Sequence, residues 1–157
     1  DALDSDFSNI YIDTISCNNI GNDCLDLSFS NGKVSKLEGY FVKDKVLSLG
    51  EKSNLNINEI FSISSEMGIV AKDSSSLLVS NYFFEGVKIP IAAYIKKSEF
   101  GSPYIKINTI KNKTFDKNFI SRDSSVFIDN ILIKGKKGSN EVSKLLYGNI
   151  YGVKTKR

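Results

Sequence analysis

The chain has 157 residues, which is the size of one domain with a sizeable core, and its formal net charge of +3 is modest. It contains neither His nor Trp, so the commonest general base and the commonest zinc ligand are excluded, and a metal site would have to use oxygen ligands. The low Pro content and the many Ser, Asn and Gly residues are typical of short strands joined by tight turns.

The opening of the chain is repeated after 22 residues. The segment DALDSDFSNIYI begins at Asp1 and NDCLDLSFSNGKV begins at Asn22, so Asp1 and Asp4 recur as Asp23 and Asp26. Six such copies can be written, each with short alternations of apolar and polar residues broken by Ser, Asn, Asp or Gly. A period of this length without a helical pattern predicts a β-solenoid with three strands per coil. One apolar position recurs at Leu3, Leu25, Leu47, Ile69, Ile91 and Phe119.

The repeats cover residues 1–135. One coil alone can neither bury its apolar residues nor pair its strands, whereas stacked coils pair in parallel and share one core. We therefore predict an all-β fold, a parallel β-helix of about six coils with a short capping helix after it. Because the only Met is Met67 and the first copy lacks a coil before it, we interpret residues 1–135 as the C-terminal part of a longer solenoid.

Residues 136–157 are predicted to form a basic C-terminal cap and tail. From Lys134 onward the chain has seven Lys or Arg against one Glu, whereas the body is mildly acidic. Ser139 or Asn140 can cap a short helix, and an apolar face on that helix would close the open end of the last coil. We expect the basic end to extend into solvent. The apolar face consists of Val142, Leu145 and Leu146, and the basic end carries Lys154, Lys156 and Arg157.

The register also assigns an outward face to the first strand of each coil. Side chains alternate along a strand, so the residues between the apolar positions point away from the core. One outward column is Asp4, Asp26, Ser48, Val70, Ala92 and Ile120, and the other is Asp6, Ser28, Gly50, Lys72, Tyr94 and Arg122. The corner after the second strand carries small polar residues that we expect to bond the turn backbone, namely Asp13, Ser35, Asn58, Ser80, Asn108 and Asp129.

Two local features stand apart from the repeat. The fifth copy inserts KKSEFGSP between Ala93 and Tyr104, which predicts a projecting loop with Phe100 on it, and such loops often carry binding residues. Cys17 and Cys24 are seven residues apart. Two cysteines are too few for a set of disulfide bonds that would hold a small fold together. We therefore favour the interpretation of both as small apolar core residues over a disulfide between them.

Two segments resemble a known repeat. NDCLDLSFS and MGIVAKDSS with the following VSN are similar to the right-handed parallel β-helix repeats of the pectate-lyase-like superfamily, over about residues 1–135. The chain resembles in particular the C-terminal β-helix regions of large bacterial surface or secreted proteins, some of which follow a spore-coat-protein-H-like kinase domain. The resemblance implies a right-handed helix, an extracellular or cell-envelope location and an upstream domain in the same protein.

Members of this superfamily include polysaccharide lyases, glycoside hydrolases, alginate epimerases, sugar-binding accessory proteins and phage tailspikes. For a lyase, the resemblance implies a cation that neutralises a uronate carboxylate and a base that takes the α-proton. Lys72, Tyr94 and Arg122 could supply the base and the anion clamp. Coils rise by about 4.8 Å, so Asp26 and Lys72 would lie ~10 Å apart, whereas a base must lie within ~3 Å of its proton. A long polysaccharide could contact all of them, and a single reacting sugar could not.

The stacked aspartates of the first two coils predict a compensating partner. Parallel stacking places Asp4 beside Asp26 at ~4.8 Å, where like charges repel by roughly 1 kcal/mol in water. Either turn amides and the neighbouring Asn22 donate hydrogen bonds to these carboxylates, or a calcium ion binds among them. The candidate calcium ligands are Asp4, Asp6, Asp23 and Asp26.

The leading functional hypothesis is a non-catalytic extracellular module that binds polysaccharide or a cell-surface glycan on the outward face of a sheet. The alternatives are a polysaccharide lyase or epimerase acting on acidic glycans, and a structural stalk or oligomerisation module without a ligand. We expect no nucleic-acid partner, and no apolar run approaches the ~20 residues that span a bilayer. The candidate ligand-binding residues are Lys72, Tyr94, Phe100 and Arg122.

Overall fold

The alternating segments form strands that stack coil upon coil in two sheets. The computed structural model describes residues 1–111 and 118–148 and shows a parallel β-solenoid of about five turns, which confirms the predicted fold class. Sheet A contains β1 (Leu3–Asp6), β3 (Leu25–Ser28), β5 (Lys45–Leu49), β7 (Met67–Lys72), β9 (Ile89–Tyr94) and β11 (Phe119–Ile120). Sheet B contains β2 (Asn9–Asn18), β4 (Asn31–Tyr40), β6 (Asn54–Ile63), β8 (Ser76–Glu85), β10 (Tyr104–Ile110), β12 (Ser125–Ile128) and β13 (Ile131–Ile133).

The register of sheet A follows the repeat through its first five strands. Leu25, Leu47 and Ile69 pair in succession and are fully buried, as the repeat predicts. The repeat returns an apolar side chain to the same place in every coil, so these residues form one column of the core. Burying each one contributes roughly 2 kcal/mol.

At the last strand of sheet A the predicted register is one residue wrong. Phe119 pairs with Ala92 and Ile120 pairs with Ala93, so Ile120 enters the core and Phe119 lies on the outward face. The longer connection in the fifth copy removed the fixed spacing on which the prediction depended. The shift also moves Arg122 out of its predicted column and into an exposed turn, where its Nη2 donates to the Lys136 carbonyl at 3.4 Å.

The long strands of sheet B are each divided into two segments. The pairing of β2, β4, β6, β8 and β10 skips one position per coil, although the residues on either side of it are paired. Each coil therefore contains three strand segments, as predicted. The skipped positions are Asp13, Ser35, Asn58, Ser80 and Asn108, which are the predicted corner residues.

The chain reverses direction after the last parallel strand of sheet B. Asp129 and Asn130 both have positive φ, at 51° and 60°, the conformation in which a two-residue hairpin turn matches the twist of its strands. β13 then pairs antiparallel with β12, with Ile131 opposite Ile128 and Ile133 opposite Val126. The sixth copy is therefore an incomplete coil that ends in a hairpin.

The predicted short C-terminal helix is present as α1 (Ser139–Leu146), but it covers a side of the solenoid instead of closing its end. Val142 and Leu146 are buried in one cluster with Met67, Val70, Ile89, Ala92 and Tyr94, which belong to β7 and β9. Gly138 occupies the N-cap position and its N–H donates to Glu141 Oε2 at 2.9 Å, so the capping residue is neither Ser139 nor Asn140. The predicted exposure of Lys154, Lys156 and Arg157 lies outside the described residues.

A disulfide joins Cys17 to Cys24, so the interpretation of these cysteines as free core residues is wrong. Their Cα atoms are 5.9 Å apart, and both side chains are buried. The bond connects the end of β2 to the residue before β3, and so closes the connection between the first two coils.

Candidate functional sites

Two of the predicted ligand-binding residues are buried on the outward face of sheet A, Tyr94 beneath α1 and Lys72 beside Tyr94 on the neighbouring strand. Lys72 and Tyr94 are neighbours in β7 and β9, but only 8% of Lys72 and none of Tyr94 is exposed. The Lys72 ammonium donates to Ser48 Oγ at 2.9 Å, and the Tyr94 hydroxyl donates to the Tyr147 hydroxyl at 3.2 Å. The prediction that this part of sheet A presents them to a polysaccharide is therefore wrong. Arg122 lies at the last coil, and the structure does not bring it to the other two.

Phe100 belongs to a row of three aromatic rings along one corner of the solenoid. The rings of Phe7 and Phe29 stack in parallel with their centroids 4.8 Å apart, and Phe100 meets Phe29 edge to face at 6.0 Å. Phe7 is 78% exposed and Phe29 is 38% exposed. The row is therefore a large apolar feature at the surface of the first two coils.

The inserted loop folds back along the solenoid instead of projecting from it. The N–H groups of Lys96 and Lys97 both donate to Asp73 Oδ1, at 2.7 and 2.9 Å. Lys97 forms an ion pair with Glu51, two coils earlier, at 2.5 Å, and Gly101 exchanges two hydrogen bonds with Ser74. Burial alone would raise the pKa of Glu51, but bonds from Lys97 and from a nearby serine leave it lowered. These contacts hold the loop against the corner.

A buried ion network occupies the outward face of sheet A beside the end of α1. Lys45 Nζ lies 3.1 Å from Asp23 Oδ1 and 2.6 Å from Asp44 Oδ2, and all three residues are buried. Burial raises the pKa of Asp23 to about 6 against the opposing attraction of Lys45. Burial would lower the pKa of Lys45, but the two carboxylates leave it raised. The carboxylate of Asp23 is therefore bound by Lys45, which argues against the predicted role of Asp23 as a calcium ligand.

Two of the four predicted calcium ligands meet at the first two coils. Carboxylate oxygens of Asp1, Asp4 and Asp26 lie within 4.8 Å of one another, while Asp6 and Asp23 lie outside this group. Asp1 Oδ1 also accepts the N–H of Asp23 at 3.1 Å, so part of the predicted hydrogen bonding is present. Three carboxylates fit calcium, which takes six to eight oxygen ligands and completes its shell with water.

Tyr147 lies near Lys72 and Tyr94, which were predicted to supply the base and the anion clamp of a lyase. Unlike those two side chains, its own side chain reaches solvent. It follows α1, is 47% exposed, and carries the Lys96 ammonium 4.9 Å from its ring centroid. Burial would raise the pKa of Tyr147, but the charge of Lys72, the bond from Tyr94 and the charges of Lys96 and Lys45 leave it lowered. The sequence analysis predicted only a capping role for the C-terminal helix, so it did not identify Tyr147 as a candidate functional residue.

The outward face of the first segment of sheet B carries a polar groove that the sequence analysis did not single out. Asn56, Leu78 and Lys106 pair in succession on β6, β8 and β10, so their side chains form one row along the solenoid axis. On the neighbouring outward position, Asn54 Nδ2 donates to Asn31 Oδ1 at 3.0 Å. The groove has a volume of about 340 Å³ and is lined by Asn56, Ile57, Asn58, Leu78, Val79, Ser80, Lys106 and Asn108.

Aromatic rings lie at both ends of this polar face. Tyr11, on the same outward position of β2, is 78% exposed. At the other end, the rings of Tyr104 and Phe127 lie 5.8 Å apart on β10 and β12. Alternate Asn, Ser, Lys and Tyr residues on the second strand of each copy were a signal for this face, but Asn58 and Asn108 were assigned to turn bonding alone.

No family model, curated protein or solved structure matches the chain. Within residues 1–111 and 118–148, no helix combines the length and the apolar character needed to cross a bilayer.

Proposed function

We propose that the chain is a non-catalytic β-solenoid module that binds a polysaccharide along the outward face of the first segment of sheet B. The observation that carries the proposal is the groove around Asn56, Leu78 and Lys106. The amides offer both donors and acceptors to sugar hydroxyls, Leu78 offers an apolar contact for a sugar ring, and Lys106 offers a cation. These groups stand on paired strands, which hold their positions better than loops do.

The spacing of the groove suits a polymer. Equivalent positions on neighbouring strands are ~4.8 Å apart, so Asn56 and Lys106, two coils apart, span ~10 Å along the axis. An extended chain with regularly repeated hydroxyls can contact several coils at once, and each contact then adds to the affinity. Tyr11 and the Tyr104 and Phe127 pair extend this surface at either end.

The disulfide supports an extracellular or cell-envelope location, because such bonds persist in oxidising compartments and are rare in the cytosol. In that setting the partner is a cell-surface or secreted glycan. The resemblance of the repeats adds an upstream domain of the same protein as a second partner.

A glycan array followed by titration calorimetry tests the proposal. We expect Asn56→Ala and Lys106→Ala each to weaken binding of an array hit by ~10-fold, since each removes a direct polar contact. Asn22→Ala and Lys88→Ala are matched controls, since both residues are exposed outside the groove. Equal affinities for all four variants would contradict the assignment of the groove, and binding to no glycan would contradict the function.

A lyase or epimerase acting on acidic glycans is the second candidate, and Tyr147 favours it. Its phenol has a lowered pKa, accepts a hydrogen bond from Tyr94 and lies near lysines that could attract a carboxylate. Incubation with polyuronates, followed at the absorbance of an unsaturated product, tests this activity. If a product appears, Tyr147→Phe should abolish it while leaving polysaccharide binding in the groove unchanged.

A further inference from the structure

The Lys45 ammonium is held between two carboxylates at a place that largely excludes water. The side chain of Lys45 is 8% exposed, and those of Asp23 and Asp44 are 5% and 10% exposed. Lys45 Nζ lies 3.1 Å from Oδ1 and 3.3 Å from Oδ2 of Asp23, and 2.6 Å from Oδ2 of Asp44. Burying three charged groups is costly, so a reaction that removes two of the charges would lower that cost.

The amine nitrogen of Lys45 lies close to the carboxyl carbon of Asp23. Nζ is almost equidistant from the two oxygens bonded to that carbon, and reacting atoms in near-attack arrangements lie ~3–3.5 Å apart. The backbone N–H of Lys45 also donates to Asp23 Oδ1 at 2.9 Å. This N–H would stabilise the negative charge that develops on Oδ1 when the amine attacks the carbon, which makes Oδ2 the leaving oxygen.

Asp44 is placed to move the protons that such an attack requires. An ammonium group is no nucleophile until a base takes one of its protons, and a base must lie within ~2.6–3.2 Å of the atom that gives the proton up. Asp44 Oδ2 meets this condition at 2.6 Å from Nζ. The three residues therefore supply a nucleophile, a carboxyl group and a proton carrier in one buried cluster.

We propose that Lys45 and Asp23 form an intramolecular isopeptide bond, with Asp44 as the proton carrier. The bond from Nζ to Cγ of Asp23 forms, and the bond from Cγ to Oδ2 breaks. The ammonium gives up two protons, which Asp44 accepts in turn and passes to Oδ2, and Oδ2 leaves as water. No oxidant, reductant or further reactant is consumed. The structure shows the residues before this step, so their ion pairs and the pH behaviour of Asp23 belong to the unreacted chain.

The isopeptide bond ties two neighbouring coils together. Asp23 and Lys45 are 22 residues apart, and Cys24, which follows Asp23, is already joined to Cys17. The two bonds together connect the first three copies of the repeat through side chains. None of the residues that form them lines the polysaccharide groove, so the isopeptide bond and the proposed binding function are independent.

Mass spectrometry of the full chain tests the proposal. After reduction of the disulfide and incubation at neutral pH, we expect an intact mass that is one water below that of the sequence. Trypsin should leave the peptide that ends at Lys33 joined to residues 44–52, with no cleavage after Lys45. Glu66 and Lys88 are an internal control. They are also 22 residues apart and form an ion pair, but an exposed one, so their peptides should stay separate.

Three variants test the roles of the residues. Lys45→Arg keeps a cation but removes the amine, and should retain the full sequence mass. Asp44→Asn removes the proton carrier and should slow the loss of water by ~100-fold or more. Lys43→Arg is the matched control, because Lys43 is exposed two residues away and its replacement should leave the reaction unchanged.

The mass of the parent chain decides whether the bond forms, even if a variant does not fold. A parent chain that keeps its full sequence mass would overturn the proposal. A loss of water located within residues 44–52 alone, or at any other pair of residues, would also overturn it. An Asp44→Asn variant that folds and reacts as fast as the parent chain would contradict the role of Asp44.

Discussion

The ammonium of Lys45 lies 3.1 Å from Oδ1 of Asp23, which occupies the same column one coil earlier. The backbone N–H of Lys45 also donates to this oxygen at 2.9 Å, and the same ammonium reaches Asp44 at 2.6 Å. One lysine therefore compensates two buried carboxylates on a surface whose neighbours include the stacked aspartates of the first coils.

Removing that lysine should be costly. We expect Lys45→Met to lower the free energy of unfolding by ~3–5 kcal/mol, because it leaves Asp23 and Asp44 buried without a cation. Urea denaturation at neutral pH measures the change. Lys88→Met is the control, because the ion pair of Lys88 with Glu66 is largely exposed and should contribute no more than ~1 kcal/mol. Equal losses for the two variants would contradict the buried network.

The raised pKa of Asp23 predicts a pH dependence of stability. Between its ordinary value of 3.8 and about 6, the folded state holds a proton that the unfolded state has released. The contribution of Asp23 is therefore complete below pH 3.8 and is lost as the pH rises through about 6. Relative to Asp23→Asn, the parent chain should lose ~2–3 kcal/mol of unfolding free energy between pH 4 and pH 7. Parallel pH profiles for the two proteins would contradict the shift.

Reduction of the Cys17–Cys24 disulfide should lower stability. The bond closes a short loop in the unfolded chain, and a loop of this size contributes about 2.5 kcal/mol through lost chain entropy. Thermal melting with and without a reductant measures the effect. The double variant Cys17→Ala with Cys24→Ala should melt at the same temperature in both conditions, and a reductant effect that persists in it would have another source.

The lateral position of α1 predicts which strands a helix variant disturbs. Val142→Asp places a charge against Val70, Ala92 and Tyr94 and should cost about 3 kcal/mol. Hydrogen exchange should then accelerate in β7 and β9 and remain unchanged in β13. Lys144→Gln is the control, because Lys144 is exposed on the same helix. Faster exchange in β13 instead would contradict the packing of α1 against β7 and β9.

Calcium should stabilise the chain through Asp4 and Asp26. If the ion binds among the clustered oxygens, millimolar calcium raises the melting temperature relative to chelator, and Asp4→Asn with Asp26→Asn abolishes the increase. Asp6→Asn should leave the increase intact, because Asp6 lies outside the cluster. Identical melting curves in calcium and chelator would leave hydrogen bonding, such as that from Asp23 N–H to Asp1, as the compensation.

The repeat was sufficient to predict how the coils stack, because the alignment of each copy is supported by the copies before and after it. A position such as Leu47 is fixed by its counterparts in the coils on either side, and β5 has the predicted register. Where a copy is irregular this support is lost, as at Phe119. The reversal at Asp129 and Asn130 depends on two positive φ angles in a single copy, so periodicity could not reveal it.

The ligand-binding residues were harder to predict, because their exposure depends on which other segments of the chain cover each face of the sheets. The outward orientation of Lys72 and Tyr94 followed from alternation, but the burial of Tyr94 depends on a helix that begins only at Ser139. The apolar outward residues Val70 and Ala92 were the available sign that something packs there. The disulfide was missed for a similar reason, since only the path of the first coil brings Cys17 and Cys24 together.

The disulfide also determines how the first coils would respond to a pulling force. Tension applied to the N-terminus first peels β1 and β2, and the load then passes through the sulfur bridge and bypasses residues 18–23. About 20 Å of chain is thereby withheld from extension. Asp23 lies in this shielded segment, so its contact with Lys45 carries no load until the second coil itself begins to detach.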